Sequence, residues 1–333
     1  VEKENTIDKS FLEDSDNLDL FKIFRVIHNH IYANDGFSTQ QAFDEILKLI
    51  FIKLDDENKV EDRSRFFITD KEFEQIQSGL KNSFRSRIDE IFKEAKADYP
   101  DIFEAGEKIK LKDTSLAFAI NNLQNYKFKD AKKDIKGLAF QKFISVNLRG
   151  ERGQFFTPDP VIDFMVKMLD PDLKTKFIDP TCGSGGFLYR VINYIREKEL
   201  SKDNKKENGS LKNNIHGIEI NPSVAKVAKL RLLLEFNDCK GIFCTNSLSE
   251  WGDLLSAAQM SGINKIEFKN NYDLILTNPP FGSQGKVIDK SFLMRFNLAH
   301  KWKEDGNKWG MEDVLQGGQA PDILFLERCI DLL

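Results

Sequence analysis

Apolar residues in the first half of the chain recur every three or four positions, as they do along one face of an α-helix. Four stretches show this pattern: Leu20, Phe24, Ile27 and Ile31; Phe43, Ile46, Leu47, Ile50 and Leu54; Phe73, Ile76, Leu80, Phe84, Ile88 and Ile91; and Ile135, Ala139, Phe143 and Val146. The second stretch follows Ser38-Thr39, a typical helix start, and the third ends before Pro100. No strand pattern of comparable length occurs here. Residues 1–147 are therefore predicted to form an all-α helical domain.

The second half of the chain alternates short apolar runs with helical patterns. Residues 176–179, 215–220, 241–244 and 272–276 have the length and composition of buried strands. Helices are predicted after the first two runs; one of them begins at Pro222, because proline suits the first helical turn. Strands separated by helices indicate a parallel sheet with right-handed crossovers. Residues 148–333 are therefore predicted to form an α/β domain.

Two further stretches of this half are predicted from composition and period. The charged, asparagine-rich residues 201–214 indicate a surface loop, and residues 322–333 have the apolar pattern of a final helix. In a parallel sheet of this kind, ligands bind beyond the carboxyl ends of the strands, at the point where strand order reverses. The candidate chemistry lies in the residues that follow those strands.

Composition narrows the class of protein. Of the 333 residues, 41% are hydrophobic and 31% charged, as in ordinary globular proteins, and no apolar run has the length of a membrane span. The charged start argues against a secretory signal. The four cysteines form no Cys-x-x-Cys pair, so neither a zinc site nor a disulfide framework is predicted, and a cytoplasmic location is expected. A net charge of −4 means that DNA binding would need a local basic patch or a partner.

The fourth predicted strand ends in Asn278, Pro279, Pro280 and Phe281. The two prolines fix φ and remove backbone donors, so these four residues form a stiff turn, called here the proline corner. The amide oxygen of Asn278 and the carbonyl of Pro279 can both accept from one amino group, while Phe281 stacks on its plane. Phe281 could instead be a core residue, like most of the 28 phenylalanines; its position after Asn-Pro-Pro favours the functional interpretation.

A glycine-rich turn follows the first strand of the predicted sheet. Asp179 stands at the strand tip, and Gly183, Gly185 and Gly186 allow a tight turn with close backbone approach to a ligand. Glu219, at the tip of the second strand, suits a ribose diol; the alternative is a solvated acid after a strand. A dinucleotide would place its pyrophosphate on this turn, where Asp179 would repel it. The acid favours a ligand with an ammonium group, such as S-adenosylmethionine.

Four motifs in this order resemble those of amino-group DNA adenine methyltransferases. They are Gly153-Gln154-Phe155-Phe156-Thr157-Pro158, the run from Asp179 to Leu188, Gly217-Ile218-Glu219, and Thr277-Asn278-Pro279-Pro280-Phe281-Gly282. Their order and the helical first domain are similar to the modification (M) subunits of type I restriction-modification systems. The resemblance implies a Rossmann-like S-adenosylmethionine-dependent methyltransferase fold, with transfer of a methyl group to N6 of adenine in double-stranded DNA.

The resemblance also assigns site residues. The expected catalytic residues are Asn278, Pro279, Pro280 and Phe281, which would receive a flipped adenine. The expected cofactor-binding residues are Gln154, Phe155, Phe156, Thr157, Pro158, Asp179, Thr181, Gly183, Ser184, Gly185, Glu219, Asn246, Ser247 and Asn278. Asn246 departs from the family, which usually has an acid there to accept from the cofactor adenine. A charged acceptor makes a hydrogen bond about twice as strong, so weaker cofactor binding is expected.

Other interpretations follow from the same residues. Asn-Pro-Pro-aromatic corners also serve methylation of RNA or of protein glutamine, and a non-catalytic scaffold on a methyltransferase fold is a further alternative. No cysteine follows a proline in the arrangement that cytosine-C5 methylation requires. The resemblance implies a specificity subunit, a restriction subunit and a second M subunit as partners, and more strands beyond the fourth, so a C-terminally truncated domain is expected. The segment 285–318 mixes basic and aromatic residues, which indicates either DNA contact or a mobile surface loop.

Overall fold

A computed structural model describes residues 7–8, 13–14, 17–59, 63–100, 102–104, 106–128, 157–200, 213–236, 239–282, 285–306 and 308–333. The chain forms two compact units. The first contains Val1–Phe155 and Lys229–Cys239, and the second contains Phe156–Ala228 and Lys240–Leu333. The boundary at residue 147 stays a prediction. None of the helices in the described ranges is long and apolar enough to cross a membrane.

The described part of the first unit is mainly helical. Four two-residue strands pair within it: β1 (Ile7–Asp8) with β3 (Arg63–Ser64), and β2 (Glu13–Asp14) with β4 (Tyr126–Lys127). Its helices are α1 (Asn17–Asp35), α2 (Thr39–Asn58), α3 (Asp70–Gln77), α4 (Phe84–Asp98) and α5 (Asp113–Leu123). The apolar stripes predicted for the first two helices are buried. The start of α2 is confirmed, since Ser38 and Gln41 form a reciprocal capping box.

The single long helix predicted from Phe73 to Ile91 is wrong. The chain forms α3 and α4 instead, because Gly79 turns the backbone into the left-handed region at φ 71°. Leu80 then projects into solvent rather than into the stripe. Helix α5 was not predicted from the sequence, and the helix predicted over residues 135–146 lies outside the described residues.

The second unit contains a parallel four-stranded sheet, as predicted. Its strands are β5 (Phe177–Asp179), β6 (Ile215–Glu219), β7 (Ile242–Cys244) and β8 (Leu274–Ile275), in the spatial order β7-β6-β5-β8. Strand order therefore reverses between β5 and β8, where Phe177 pairs with Ile215 on one side and with Leu274 on the other. That reversal is the place where a sheet of this type binds ligands.

In the described part of the chain from residue 157, six helices lie before, between and after these strands. The helices are α6 (Asp159–Leu169), α7 (Gly186–Leu200), α8 (Pro222–Phe236), α9 (Trp251–Met260), α10 (Lys290–Leu293) and α11 (Pro321–Leu332). The predictions of α7, of α8 starting at Pro222 and of the final helix are confirmed. The surface loop predicted over 201–214 falls mostly outside the described residues. Ile178, Ile218 and Phe243 on the strands pack with Leu254 of α9 and Leu332 of α11 in the core.

The segment between β8 and α11 is not an irregular loop. It contains α10, a 3-10 turn (Asn297–Ala299) and two antiparallel strands, β9 (His300–Asp305) and β10 (Lys308–Leu315). The interpretation as a loop is wrong, because much of the segment pairs as two antiparallel strands. Its strands escaped prediction because nearly every side chain on them is exposed, so no alternation of buried and exposed positions occurs.

Candidate functional site at the carboxyl ends of the sheet

Asp179 is the last residue of β5 and is almost completely buried, with 1% of its surface exposed. Its Oδ1 accepts from the backbone N–H of Thr181 at 3.0 Å, and Thr277 hydrogen-bonds the same carboxyl group. Burial raises the pKa of Asp179 from 3.8 to about 7, the hydrogen bonds oppose that rise, and the nearby Glu219 carboxylate adds to it. The strand tip therefore offers a buried carboxyl group whose charge a cationic ligand would stabilise.

Glu219 ends the neighbouring strand β6 and is also buried. Its Oε2 accepts from the backbone N–H of Gly183 at 3.1 Å, and its Oε1 accepts from that of Asn221 at 2.7 Å. Burial raises the pKa of Glu219, and these backbone hydrogen bonds oppose the rise. The alternative of a solvated acid at this position is wrong, because the carboxylate is enclosed and held by two loops.

The residues between Pro180 and Gly186, called here the glycine turn, connect β5 to α7. Gly183 and Gly185 adopt left-handed conformations, with φ of 54° and 77°, which explains why glycine occupies both positions. The turn is closed by a hydrogen bond from the N–H of Gly185 to the carbonyl of Cys182 at 2.8 Å. Ser184, inside the turn, is buried. The backbone therefore makes the tight turn that the sequence predicted.

The loop after β7 joins the same edge of the sheet. The Oδ1 atom of Asn246 accepts from the N–H of Leu248 at 3.0 Å, so its amide oxygen already supports the local turn. The Ser247 hydroxyl donates to the carbonyl of Pro180 and ties this loop to the glycine turn. Asn246 and Ser247 therefore lie on the same side of the sheet as Asp179.

The proline corner follows β8, on the other side of the strand reversal. Asn278 and Pro279 are half-buried and Pro280 is exposed, while Phe281 leaves 51% of its surface accessible. A core phenylalanine would not be this exposed, so the core interpretation of Phe281 is wrong. Gly282, the next residue, is held in place because its N–H donates to Asp322 Oδ1 on α11 at 3.0 Å.

Two residues that the sequence analysis did not assign to the site connect its parts. The hydroxyls of Thr181 and Thr277 lie 2.6 Å apart and join the glycine turn to the residue before Asn278. Asp322 holds the far end of the corner. Thr277 stands next to Asn278 and adjacency alone could have indicated it. Asp322 lies 40 residues from Gly282, and no local signal indicates that contact.

The Gln154–Pro158 motif is described only in part. Gln154, Phe155 and Phe156 lie outside the described residues. Thr157 and Pro158 precede α6, with Pro158 as its N-cap residue, and the carbonyl of Pro158 accepts from the N–H of Val161 at 2.9 Å. Helix α6 packs on α7, which begins at the glycine turn: a side chain at Gly186 would lie 3.4 Å from Ile162. The structure therefore connects Thr157 and Pro158 to the glycine turn through these two helices.

The arrangement has a defined chemical preference. Two buried carboxyl groups and a tight glycine turn occupy one side, and a rigid corner with an amide and an exposed ring occupies the other. Carboxyl groups at the strand tips repel a pyrophosphate and suit an ammonium group and hydroxyl groups. The corner can hold a planar group that donates hydrogen bonds. Such a site fits two ligands, one at each side of the strand reversal.

A sequence model of the family described as N-6 DNA Methylase matches residues 131–332, more than half of the chain. The EcoEI type I restriction enzyme methylase subunit of Escherichia coli is 27% identical over 189 residues, which are 54% of this chain and 34% of that protein. The HindI methylase subunit of Haemophilus influenzae is 32% identical over 106 residues, which are 31% and 22% of the two chains.

The fold has counterparts among solved structures. A type I restriction-modification methyltransferase subunit from Streptococcus thermophilus has 14% identity and a TM-score of 0.60, covering 96% of this chain and 73% of that one. This likeness shows the fold: a Rossmann-like methyltransferase α/β domain preceded by helices. The chain spans about a third or less of the length of the curated relatives above. On the match across residues 131–332, the chain belongs to the N-6 DNA Methylase family.

Proposed function

We propose that this protein transfers a methyl group from S-adenosylmethionine to N6 of adenine in double-stranded DNA. One observation carries the proposal: the proline corner stands at the strand reversal beside an acid-lined glycine turn, and the Thr181–Thr277 contact joins the two. A donor for the group to be transferred and an acceptor amine would thus meet at one edge of the sheet. Membership of the N-6 DNA Methylase family supports the same reaction.

The residues of the glycine turn and the strand tips fit the cofactor. Asp179 would bind its ammonium group, Gly183, Ser184 and Gly185 would lie along its amino acid part, and Glu219 would accept from its ribose hydroxyls. Gln154, Phe155, Phe156, Thr157 and Pro158 would flank its methionine end, and Asn246 and Ser247 its adenine. When bound, S-adenosylmethionine supplies an electrophilic methyl group. Everything else in the reaction is positioning by this chain.

The proline corner would hold the target base. The Asn278 amide oxygen and the Pro279 carbonyl would accept from the adenine amino group, which localises the nitrogen lone pair toward the methyl group. Phe281 would stack on the ring, which repays part of the cost of flipping the base out of the duplex. The adenine nitrogen would bond to the methyl carbon as the carbon–sulfur bond breaks and a neutral thioether leaves, and the methylated amine would then release a proton to water, since both acceptors are neutral groups. No covalent enzyme intermediate is required, because holding the two reactants in line supplies the rate.

The names of the relatives support a role for the whole protein. We propose that it is the modification subunit of a type I restriction-modification system in the cytoplasm. Its partners would be a specificity subunit, a restriction subunit and a second modification subunit. A separate specificity subunit also fits the acidic net charge of the chain, which is unfavourable for gripping DNA alone.

The test is methyl transfer from radiolabelled S-adenosylmethionine to DNA, RNA and protein, with the protein in whatever complex it forms. We expect label in DNA, on N6 of adenine. Asn278→Ala should reduce turnover of bound substrate roughly 100-fold, as loss of one preorganised hydrogen-bonding group does in other enzymes. Asn264→Ala, an exposed residue before β8, is the matched control. Label in RNA or in protein glutamine, or full turnover by Asn278→Ala, would refute the proposal. Cofactor binding without transfer to any substrate would indicate a scaffold.

A further inference from the structure

Helix α11 is fixed against the rest of the second unit at both of its ends. Near its start, Leu324 and Phe325 belong to a buried apolar cluster that includes Leu248 of the loop after β7 (residues 245–250). At its end, Leu332 packs in the core that contains the sheet strands. Because buried side chains in a close-packed core have little freedom to move, α11 can hold other parts of the site at fixed positions.

The start of α11 holds the end of the proline corner. Oδ1 of Asp322 accepts from the N–H of Gly282 at 3.0 Å. A Cβ atom on Gly282 would lie 2.8 Å from the Cβ atom of Ala320 and 3.3 Å from that same oxygen, so the corner ends in close contact with the helix. Phe281, the preceding residue, leaves 51% of its surface exposed. A ring with so little packing around it takes its direction from the backbone, and Asp322 fixes the backbone at the next residue.

The middle of α11 holds the loop after β7. Nη2 of Arg328 donates to the carbonyl of Ser249 at 2.8 Å. The guanidinium carbon of this side chain lies 4.1 Å from the centroid of the Trp251 ring and 5.1 Å from that of Phe296. Trp251 is the first residue of α9, so Arg328 fixes the point at which the loop meets that helix. The N–H of Ser249 donates to the carbonyl of Asn246 at 2.9 Å, which connects Arg328 to the residue expected beside the cofactor adenine.

Burial of Arg328 is unfavourable by itself. Only 3% of its surface is exposed, and within the described residues its Nε and Nη1 atoms have no hydrogen-bond partner. Burial lowers the pKa of Arg328 to about 10, although the nearby Asp331 carboxylate opposes that shift. A buried cation without a directly paired carboxylate costs free energy that an apolar side chain of the same size would not. The cost indicates a role for the guanidinium group, which holds the Ser249 carbonyl and stacks on two aromatic rings.

We propose that Asp322 and Arg328 are positioning residues that act on different reactants. Asp322 acts on the target base, through Gly282 and Phe281. Arg328 acts on the adenine of the cofactor, through the loop after β7. The two residues are six positions apart on one fixed helix, about 9 Å along its axis, so α11 sets the spacing between the corner and the loop. This inference rests on the proposed function and adds two residues that hold main-chain groups rather than a reactant.

The role of Asp322 is tested by Asp322→Ala and Asp322→Asn, in the full-length protein and in the complex it forms. Alanine removes the acceptor for the Gly282 N–H, whereas asparagine retains an oxygen that can accept from it. With 2-aminopurine in place of the methylated adenine, Asp322→Ala should reduce the fluorescence increase that accompanies base flipping, and it should raise the KM for DNA about tenfold. Asp322→Asn should restore most of both, and S-adenosylmethionine affinity should equal that of wild type in both variants.

Leu326→Ala is the matched control, because Leu326 is an exposed residue of the same helix. It should leave base flipping and the KM for DNA unchanged. Wild-type values of both in Asp322→Ala would overturn the proposal.

The role of Arg328 is tested by Arg328→Met and Arg328→Lys. Methionine fills similar space without donors, and lysine keeps the charge but loses the planar group that stacks on Trp251. Arg328→Met should weaken S-adenosylmethionine binding about tenfold in calorimetry, with kcat at saturating cofactor and the KM for DNA unchanged. Arg328→Lys should lose affinity severalfold. Methylthioadenosine, which has the adenosine part of the cofactor without its amino acid, should lose affinity by the same factor in each variant.

A role of α11 in supporting the fold alone would give a different pattern. DNA binding and cofactor binding would then fall together in Asp322→Ala and in Arg328→Met, and that result would overturn the proposal. So would unchanged S-adenosylmethionine affinity in Arg328→Met, or a loss of that affinity that methylthioadenosine does not share. If Arg328→Met does not fold, Arg328→Lys decides the same question with the same two ligands.

The two proposals fail separately. If the wild-type protein methylates adenine in DNA while the Asp322 and Arg328 variants bind both reactants normally, the inference about α11 alone is wrong. If no methyl group reaches adenine in DNA although Arg328→Met loses affinity for both adenosine ligands, the proposed function is wrong and the assignment of Arg328 holds.

Discussion

Replacing Asp179 with asparagine should stabilise the protein and weaken cofactor binding at the same time. Burial raises the pKa of Asp179 from 3.8 to about 7. Between about pH 4 and pH 7 the folded protein holds this proton while the unfolded chain has released it. The Asp179 contribution to the free energy of unfolding is therefore full below about pH 4 and is lost as pH rises through 7. The difference of about 3 pKa units corresponds to roughly 4 kcal/mol at neutral or higher pH.

Asparagine removes the titration but keeps an oxygen that can accept from the Thr181 N–H. Asp179→Asn should therefore gain stability relative to wild type as pH rises from about 4 to 7, by up to roughly 4 kcal/mol, and the gain should be constant above that range. Urea unfolding at a series of pH values measures this difference. Asp253→Asn, at an exposed carboxylate on α9, is the matched control for the substitution.

Cofactor binding should change in the opposite direction. If only the ionised carboxylate binds the ammonium group, wild-type affinity should rise about tenfold between about pH 6 and pH 8, and Asp179→Asn should lose both this rise and about 10- to 100-fold of affinity at the higher pH. Isothermal titration calorimetry with S-adenosylmethionine measures both. The reasoning is refuted if the variant is less stable than wild type at pH 8 although folded at pH 4, or if it binds the cofactor equally well.

Three further substitutions test the rest of the site. Asn246→Asp should tighten S-adenosylmethionine binding severalfold in calorimetry, because a charged acceptor replaces a neutral one; unchanged affinity would show that this position does not contact the cofactor. Glu219→Gln should weaken S-adenosylmethionine binding about tenfold. The side-chain NH2 of the glutamine would face a backbone N–H that donates to the carboxylate in the wild-type protein. Unchanged affinity would exclude a contact between this residue and the ribose. Gly282→Ala should displace the proline corner from Ala320 and cost about 1–3 kcal/mol in urea unfolding, with reduced turnover but retained cofactor affinity. Gly252→Ala is the control, because a Cβ atom there would have no neighbour within 4 Å. If Gly282→Ala were as stable and active as this control, the close contact with Ala320 would be contradicted.

The sequence predicted those elements whose signal is local. Helix α2 has its capping box, α8 has its proline at the first turn, and the sheet strands are short apolar runs, so each could be identified from neighbouring residues. The break at Gly79 was missed because the apolar spacing continues across it, and that spacing alone does not report a left-handed backbone. Strands β9 and β10 were missed because a strand exposed on both faces has no alternation of buried and exposed positions.

The candidate site, too, could be predicted from the sequence only in part. The order of the motifs indicated which loops would meet, since carboxyl ends of parallel strands share one edge. The contacts that lock those loops were beyond prediction, because they join residues such as Gly183 and Glu219, or Gly282 and Asp322, that are 36 and 40 positions apart. Only the folded chain shows that both oxygens of Glu219 are already bound by backbone amides.

The short contact between the Thr181 and Thr277 hydroxyls joins the glycine turn to the proline corner. Thr277 also hydrogen-bonds the Asp179 carboxyl group, so whatever neutralises that carboxyl group also acts on the residue next to Asn278. Binding of a cationic ligand at Asp179 would therefore alter the hydrogen bonding of the residue next to Asn278. The expected consequence is an ordered reaction in which the methyl donor binds first and DNA second, so that the base is flipped only into a site that already holds the donor.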